Sequence, residues 1–190
     1  MHRILHRLTG DEIAAGETIR AAAEASRGNL SEAYLSGADF SGAYLSGADL
    51  SGAYLSGAHL ADASLRGADL SGAHLADAHL VGASLRGATL GDAYLHRAYL
   101  SDADLRGAGL IIGPTDARGY AFYVTWGINE RPPRPIIRAG CRRWLGFDAA
   151  RAHYNTAYGG YGDPAECLAA LGYLEERFKA RMAERKQGAA

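Results

Sequence analysis

The stretch AYLSGADFSGAYLSGADL, residues 33–50, decides the fold of this chain because it repeats one short pattern without interruption. Leucine occupies every fifth position from Leu30 to Leu110, and Phe40 is the one replacement. Alanine stands two residues before each of these positions from Ala33 onward, and glycine or aspartate usually stands two residues after them. The segment therefore contains 17 units of the form Ala-x-Leu-x-Gly.

An α-helix cannot accommodate this pattern. At about 100° per residue, a step of five residues rotates each leucine by roughly 140° from the previous one, so the leucines scatter around the helix and form no apolar stripe. Each glycine would in addition cost a helix interior about 1 kcal/mol, and the repeat contains many glycines. The pattern therefore excludes a helix over these residues.

A β structure fits the same pattern. Residues two apart in a strand lie on one face, so the alanine and the leucine of a unit both point inward. The three residues that follow must turn the chain, and glycine permits the positive φ that many tight turns require. One short side and one corner per unit close a square in about twenty residues, and coils stacked at about 4.8 Å build a solenoid. The sequence predicts a mainly β protein built on a four-sided β-helix of about four coils.

The repeated run resembles the pentapeptide-repeat family, whose pattern is Ala-Asp/Asn-Leu-x-x, over about 80 residues. The resemblance implies a right-handed quadrilateral β-helix and a non-catalytic binding or scaffold protein. Some members of that family mimic duplex DNA and bind type II topoisomerases such as gyrase, which is the alternative function. That role is typical of a strongly acidic rod, whereas residues 30–110 carry nine acids and four arginines. Those members are also commonly dimers joined at the C-terminus, where this chain has a separate, mildly basic segment.

Four units per coil would stack every twentieth residue on one side of the solenoid. The outward position before leucine then gives the aromatic column: Tyr34, Tyr54, His74 and Tyr94. The next side gives the histidine column: Asp39, His59, His79 and Tyr99. The position after leucine gives the arginine column: Arg66, Arg86 and Arg106.

These columns have two interpretations. Aromatic neighbours at strand spacing stabilise each other by a few tenths of a kcal/mol without any ligand, and Asp69, three residues past Arg66, can offset the charge of the arginines. Exposed tyrosine and arginine are also enriched at binding hot spots, which favours a recognition surface. His59 and His79 supply two potential metal ligands, but a stable site usually has three or four. We therefore expect neither a metal nor a cofactor.

The segments on either side of the repeat are expected to form separate regions. Residues 1–27 predict a cap for the first coil, with a short strand around Ile4 and a helix over 17–26. The β-helix is expected to cover residues 28–112, and residues 113–190 are expected to form a small α+β module.

Within that module the alternation of residues 120–126 and 136–141 predicts a β-hairpin. Two helices are expected to follow, one over 147–158 and one that starts at Pro164. The second helix carries an apolar stripe at helical spacing: Leu168, Leu171, Leu174, Phe178 and Met182. This arrangement resembles a tail found on many small pentapeptide-repeat proteins encoded by phages and prophages, which implies a phage or prophage association.

Two sets of residues in the module suggest chemistry. Cys141 and His153 suggest a thiolate–imidazole enzyme, but Cys141 closes an apolar strand face, where a free cysteine commonly acts as a small hydrophobe, and no third orienting residue is evident. Arg142, Arg143 and Trp144 form a basic-aromatic patch that suits an acidic partner or nucleic acid. No recognised nucleic-acid motif accompanies the patch, so we expect a protein partner and no enzyme.

The charge, hydropathy and cysteine content of the chain indicate the compartment in which it is expected. The formal net charge is −1, no apolar run approaches the roughly 20 residues of a membrane helix, and the N-terminus has no sustained apolar core typical of a signal peptide. Two cysteines do not make a disulfide framework, which favours a reduced, cytoplasmic setting. The sequence therefore predicts a cytoplasmic binding protein, with its partner unidentified and a homodimer left open.

Overall fold

The structure is a computed structural model, and the residues that it describes are 2–5, 12–16, 18–115, 121–126, 135–139, 142–155 and 164–187. The chain divides into two compact units, of which the first ends at Gly109 and the second begins at Leu110. No helix among the described residues is both long and apolar enough to span a membrane.

The repeat segment of the first unit is a solenoid in which residues twenty apart are bridged in parallel on every side. The backbone hydrogen bonds follow the same step: the Leu55 N–H donates to the His74 carbonyl at 2.8 Å, and the His74 N–H donates to the Ala53 carbonyl at 2.9 Å. The twenty-residue spacing predicts all four bridged columns, which are the aromatic column, the histidine column, a serine column and an aspartate column. The serine column is Tyr44, Ser64, Ser84 and Asp104, and the aspartate column is Asp49, Asp69 and Thr89.

The repeated leucines and alanines fill the interior of the solenoid. Every repeat leucine from Leu30 to Leu90, and Phe40 among them, is at most 2% exposed. The side chains of Leu100 and Leu105, in the last coil, are half-buried. A side chain has no second apolar surface to contact where stacking ends, so the burial decreases toward the end of the repeat. The prediction that alanine and leucine both point inward is therefore confirmed.

The N-terminal segment lies against the first coil. Strand β1 (His2–Leu5) pairs antiparallel with strand β2 (Glu12–Gly16), and helix α1 (Ile19–Ala25) follows, with the Thr18 hydroxyl accepting a hydrogen bond from the Ala21 N–H at 3.0 Å. The sequence predicted the strand at Ile4 and the helix, but it did not predict β2. The sequence of β2, EIAAG, has no β-branched residue other than its one isoleucine, so strand propensity gave little signal.

This segment supplies hydrogen-bonding partners to backbone groups at the open end of the solenoid. The Tyr34 N–H donates to the Leu5 carbonyl at 3.1 Å. The Arg20 guanidinium donates to the carbonyls of Ser41 and Gly42, each at 2.7 Å. The Tyr44 N–H donates to the Glu24 carboxylate at 2.9 Å, and this bond lowers the pKa of Glu24. Strand-edge groups that would otherwise be unpaired are thus occupied.

The second unit is built on a four-stranded antiparallel sheet with two helices. Its strands, in spatial order, are β3 (Leu110–Thr115), β4 (Ala121–Thr125), β5 (Ile136–Ala139) and β6 (Arg142–Leu145). Helices α2 (Phe147–Asn155) and α3 (Pro164–Gln187) follow. The predicted hairpin corresponds to β4 and β5, which pair directly. The expectation of two strands was wrong, because β3 begins inside the last predicted repeat at Leu110 and the polar sequence of β6 gave no apolar alternation.

The core of the second unit lies between this sheet and the helices. The sheet contributes Phe122, Val124, Trp126 and Ile137, and the helices contribute Phe147, Ala150, Cys167, Ala170, Leu171, Leu174 and Phe178. Trp126 and Phe178 meet edge to face with their ring centroids 5.3 Å apart. In the predicted stripe of α3, Leu168 and Met182 are only partly buried. Helix α3 begins at Pro164 as expected, whereas the predicted last turn of α2, residues 156–158, lies outside the described residues.

Candidate binding surfaces

The aromatic column is a continuous stack on one side of the solenoid. The rings of Tyr54 and His74 lie 4.4 Å apart with 10° between their planes, and those of His74 and Tyr94 lie 4.8 Å apart with 12°. Tyr34 continues the stack with its ring 5.6 Å from Tyr54. The β-bridges fix the backbone under these rings, so neighbouring rings cover each other's faces. The column therefore presents mainly ring edges and polar tips to solvent.

Exposure is greatest at the two ends of the aromatic column. Tyr34 is 53% exposed and Tyr94 is 40% exposed, whereas Tyr54 and His74 between them are half-buried. The structure thus brings together all four residues that the twenty-residue spacing predicted. Stacking restrains each side chain before any ligand arrives, and this lowers the conformational entropy that binding would remove.

The histidine column lies on the neighbouring side. The rings of His59 and His79 are 4.9 Å apart, and Tyr99 extends the stack at 4.7 Å from His79. At the other end of the column, the Ser41 N–H donates to the Asp39 carboxylate at 3.0 Å. This bond is the main cause of the lowered pKa of Asp39, and His59 adds a smaller effect. Among the residues that the structure describes, no three potential metal ligands lie together.

The arginine column is exposed along its length, and its members differ in their contacts. Arg106 donates from Nε to Asp104 Oδ1 at 2.9 Å and from Nη2 to Asp104 Oδ2 at 2.8 Å. This pairing holds the pKa of Asp104 well below its usual range and raises the pKa of Arg106. Within the described part of the chain, Arg66 and Arg86 make no hydrogen bond through their side chains and no ion pair.

Asp69 does not neutralise the arginine column. One oxygen of the Asp69 carboxylate accepts a hydrogen bond from the Ser71 N–H at 2.9 Å, and Arg66 has no ion pair with any described residue. The carboxylate closes a local turn with the amide two residues ahead, an arrangement typical of aspartate before a turn. Asp69 is thus not an ion-pair partner of Arg66, and the acid that pairs with the arginine column is Asp104, through Arg106.

The serine column was not predicted as a site. Tyr44 at its start is 71% exposed, the largest exposure among the described large hydrophobic residues. Ser64 and Ser84 follow it as small, half-buried side chains, and the Ser64 hydroxyl is 2.8 Å from the Ser46 hydroxyl. The spacing that predicts the aromatic column also predicts this column, but its serines gave no indication of a binding site.

The candidates in the second unit remain predictions. Cys141 lies outside the described residues, and His153 is half-buried on α2. In strand β6, Arg143 is exposed and pairs in register with Arg138, which is only 1% exposed. Cys167, which the sequence did not single out, is buried in the core.

Three comparisons with known proteins bear on the repeat segment. The family model described as "Pentapeptide repeats" matches it in eight copies, over residues 28–67, 53–92 and 73–110. A search of curated proteins found no match to the chain. Solved structures of pentapeptide repeat proteins resemble part of the chain.

The first of these is HetL from Nostoc sp. strain PCC 7120, described as involved in heterocyst differentiation regulation. It is 42% identical over 40% of this chain and 35% of its own, with a TM-score of 0.39. A second protein, from Nostoc PCC 7120, is 40% identical over 39% of this chain and 61% of its own, with a TM-score of 0.36. Rfr23 from Cyanothece 51142 is 31% identical over 38% of this chain and 60% of its own, with a TM-score of 0.24. The chain thus spans from about a third to three-fifths of the length of these structures.

The twenty-residue bridging, the inward alanines and leucines, and the family match over residues 28–110 agree with one another. Residues 28–110 therefore belong to the pentapeptide repeats, whose fold is a right-handed β-helix.

Proposed function

We propose that this chain is a non-catalytic protein that binds another protein through the aromatic column of its β-helix. The observation that carries the proposal is the stack of Tyr54, His74 and Tyr94, with ring centroids 4.4 and 4.8 Å apart. Tyrosine is enriched at binding hot spots because it offers a large contact area and a polar tip. A stack held on a bridged backbone supplies that area with little further ordering.

The setting of this activity is part of the proposal. A cytoplasmic location is supported by the low number of cysteines, since two cysteines do not make the disulfide framework typical of oxidising compartments. A phage or prophage association rests on the resemblance of the C-terminal segment alone.

Mimicry of duplex DNA is the alternative function, and the charges of the solenoid disfavour it. A protein that replaces DNA on a topoisomerase must present a continuous acidic surface. Here the exposed side chains of Arg66 and Arg86 carry positive charge along one corner of the solenoid, with no ion pair among the described residues. We therefore treat capture of a topoisomerase as an outcome of the experiment and not as the expected result.

The experiment compares two variants of the full chain as bait in a bacterial lysate. The first replaces Tyr34, Tyr54 and Tyr94 by serine. The matched control replaces Tyr173, which is 42% exposed on α3, by serine. We expect a partner that the wild type and the control retain and that the triple variant loses by about tenfold or more, since hot-spot residues each contribute roughly 2 kcal/mol.

Two outcomes would contradict this proposal. Equal capture of the partner by all three baits would show that the binding site lies outside the aromatic column. Capture of a topoisomerase that is lost as salt rises would favour the DNA-mimic alternative, because exposed charges are screened beyond about 3 Å at 1 M salt. Circular dichroism of each variant checks that the fold is retained.

A further inference from the structure

We propose that a second surface of the β-helix binds a short acidic segment of a partner protein. This surface, the serine strip, consists of Tyr44, Ser64 and Ser84 together with Arg66 and Arg86 along its edge. It lies on a different side of the solenoid from the aromatic column, so the proposal does not depend on the function proposed above.

The serine strip has a shallow floor. Bridges join Tyr44 to Ser64 and Ser64 to Ser84, so the three side chains follow one another along one side of the solenoid. Serine is the smallest polar side chain, and both serines are half-buried, whereas Tyr44 is 71% exposed. An extended segment lying along the strip would therefore have an aromatic side chain at one end and hydroxyl groups beneath it, and it would stop before Asp104, whose carboxylate is bonded by Arg106 at the other end of the column.

The edge of the strip carries two arginines, Arg66 and Arg86, that form no ion pair within the described part of the chain, although the Asp104 carboxylate at the end of the serine column partly offsets the charge of Arg86. The other two arginines of the repeat each pair with an aspartate: Arg97 with Asp77 at 3.2 Å, and Arg106 with Asp104 at 2.8 Å. Arg66 and Arg86 form no such pair with any residue that the structure describes. They lie one coil apart, about 4.8 Å at their backbones, and like charges at that spacing repel. A carboxylate between them would remove the repulsion and accept hydrogen bonds from both guanidinium groups.

The strip also offers hydrogen-bond donors beside the guanidinium groups. The Ser84 side chain makes no hydrogen bond to a described residue, so its hydroxyl can donate to an arriving carboxylate. The Ser64 hydroxyl is 2.8 Å from the Ser46 hydroxyl, and when Ser46 donates in that bond the Ser64 O–H is left to donate to a ligand. Guanidinium and hydroxyl donors along one line suit a ligand that carries several acceptors.

The charge of the whole repeat selects the kind of ligand. Residues 30–110 carry nine acids and four arginines, so a long polyanion such as nucleic acid would meet repulsion beyond the two free arginines. A short segment avoids that repulsion because its charges lie only along the strip. Side chains on one face of an extended peptide repeat at about 6.8 Å, close enough to the coil spacing for flexible arginines to reach them. The ligand that fits is an acidic, extended peptide with an apolar residue for Tyr44.

The test measures binding of a fluorescein-labelled hexaglutamate peptide to the full chain by fluorescence anisotropy at low salt. The variant Arg66→Gln/Arg86→Gln is compared with Arg97→Gln, which removes an exposed arginine that is already paired. We expect the double variant to weaken binding by about tenfold, since each exposed charge contact contributes up to about 1 kcal/mol. We expect Arg97→Gln to leave the affinity within about twofold of the wild type.

Three outcomes would overturn the proposal. One is an equal loss of peptide affinity in the double variant and in Arg97→Gln, which would mean that the peptide is attracted to positive charge in general and not to the strip. Another is the absence of peptide binding to the wild type at millimolar concentration. The third is tighter binding of a hexathymidylate through the same two arginines, which would make the strip a nucleic-acid surface. The variant with serine at Tyr34, Tyr54 and Tyr94 should bind the peptide normally, so the two surfaces are tested separately.

Discussion

The corner after each repeat leucine takes a left-handed backbone conformation. Gly87, with φ at 70°, adopts it without strain, and Asp77, with φ at 57°, adopts the same conformation with a side chain. Aspartate tolerates this region better than most residues because its short polar group bonds locally. Arg97, with φ at 56°, has no such advantage, yet its ion pair with Asp77 lies at the same corner. Glycine is thus the usual residue at this position, but not an obligatory one.

We predict that Gly87→Ala lowers the free energy of unfolding by about 1 kcal/mol, because an added Cβ strains the left-handed conformation. No atom lies within 4 Å of the position that the Cβ would take, so crowding adds nothing to this cost. Gly28→Ala is the control, since its surroundings are equally open and its φ is not in the left-handed region. Urea denaturation of both variants checks the prediction, and an equal effect at the two positions would contradict it.

Some side-chain positions could be read from the sequence and some contacts could not. The aromatic column was predictable because coil closure at twenty residues is set by the repeat itself. The lack of an ion pair between Arg66 and Asp69 was not predictable, because the hydrogen bond from the Ser71 amide to the Asp69 carboxylate depends on turn geometry. The serine strip escaped prediction for a related reason: its floor is recognisable only once the exposure of Tyr44 and the contacts of the arginines are known.

Helix α1 is held to the first coil by a few polar bonds. Glu24 accepts from the Tyr44 N–H at 2.9 Å and from Arg20 Nε at 3.2 Å, and its pKa is lowered chiefly by the first of these bonds. A carboxyl whose pKa is lower in the folded state stabilises that state above its unfolded pKa. That contribution is lost as the pH falls from about 4.3 through the folded value.

We predict that Glu24→Gln destabilises the protein by about 1 kcal/mol at pH 7, a value set by a charge-assisted bond that solvent partly screens. The difference from the wild type should shrink as the pH falls below about 4.3, because protonation removes the same charge from the wild type. Urea denaturation at a series of pH values provides the measurement. Glu176→Gln, at an exposed position on α3, is the control and should stay within about 0.5 kcal/mol of the wild type. A difference that persists unchanged in acid would contradict the role of the charge.

At the scale of the whole molecule, the two units were not equally predictable. The fold of the repeat is predictable because the same two positions of every unit, the alanine and the leucine, are predicted to point inward. The second unit has no repeated pattern of this kind. Strand β3 starts at Leu110, which continues the leucine spacing of the repeat, and the sequence of β6, RRWL, has no apolar alternation. Only its central strand pair and its helices carried a clear pattern. Pairing between strands distant in sequence depends on long-range contacts, which a local pattern does not contain.

The second unit has a hydrophobic core built from its own residues, and its contribution to stability can be tested. The core of the second unit draws its residues from positions 122–178, whereas the repeat buries its own leucines. Leu171 is 0% exposed in the former, so we predict that Leu171→Ala destabilises the second unit by about 3 kcal/mol. Hydrogen exchange resolved by peptide should show faster exchange in β4 and α3, with the amide of Leu75 in the repeat unaffected. Leu168→Ala, at a partly buried position of the same helix, should destabilise the second unit by less than Leu171→Ala does. Faster exchange in the repeat by the same factor would instead mean that the two units unfold as one.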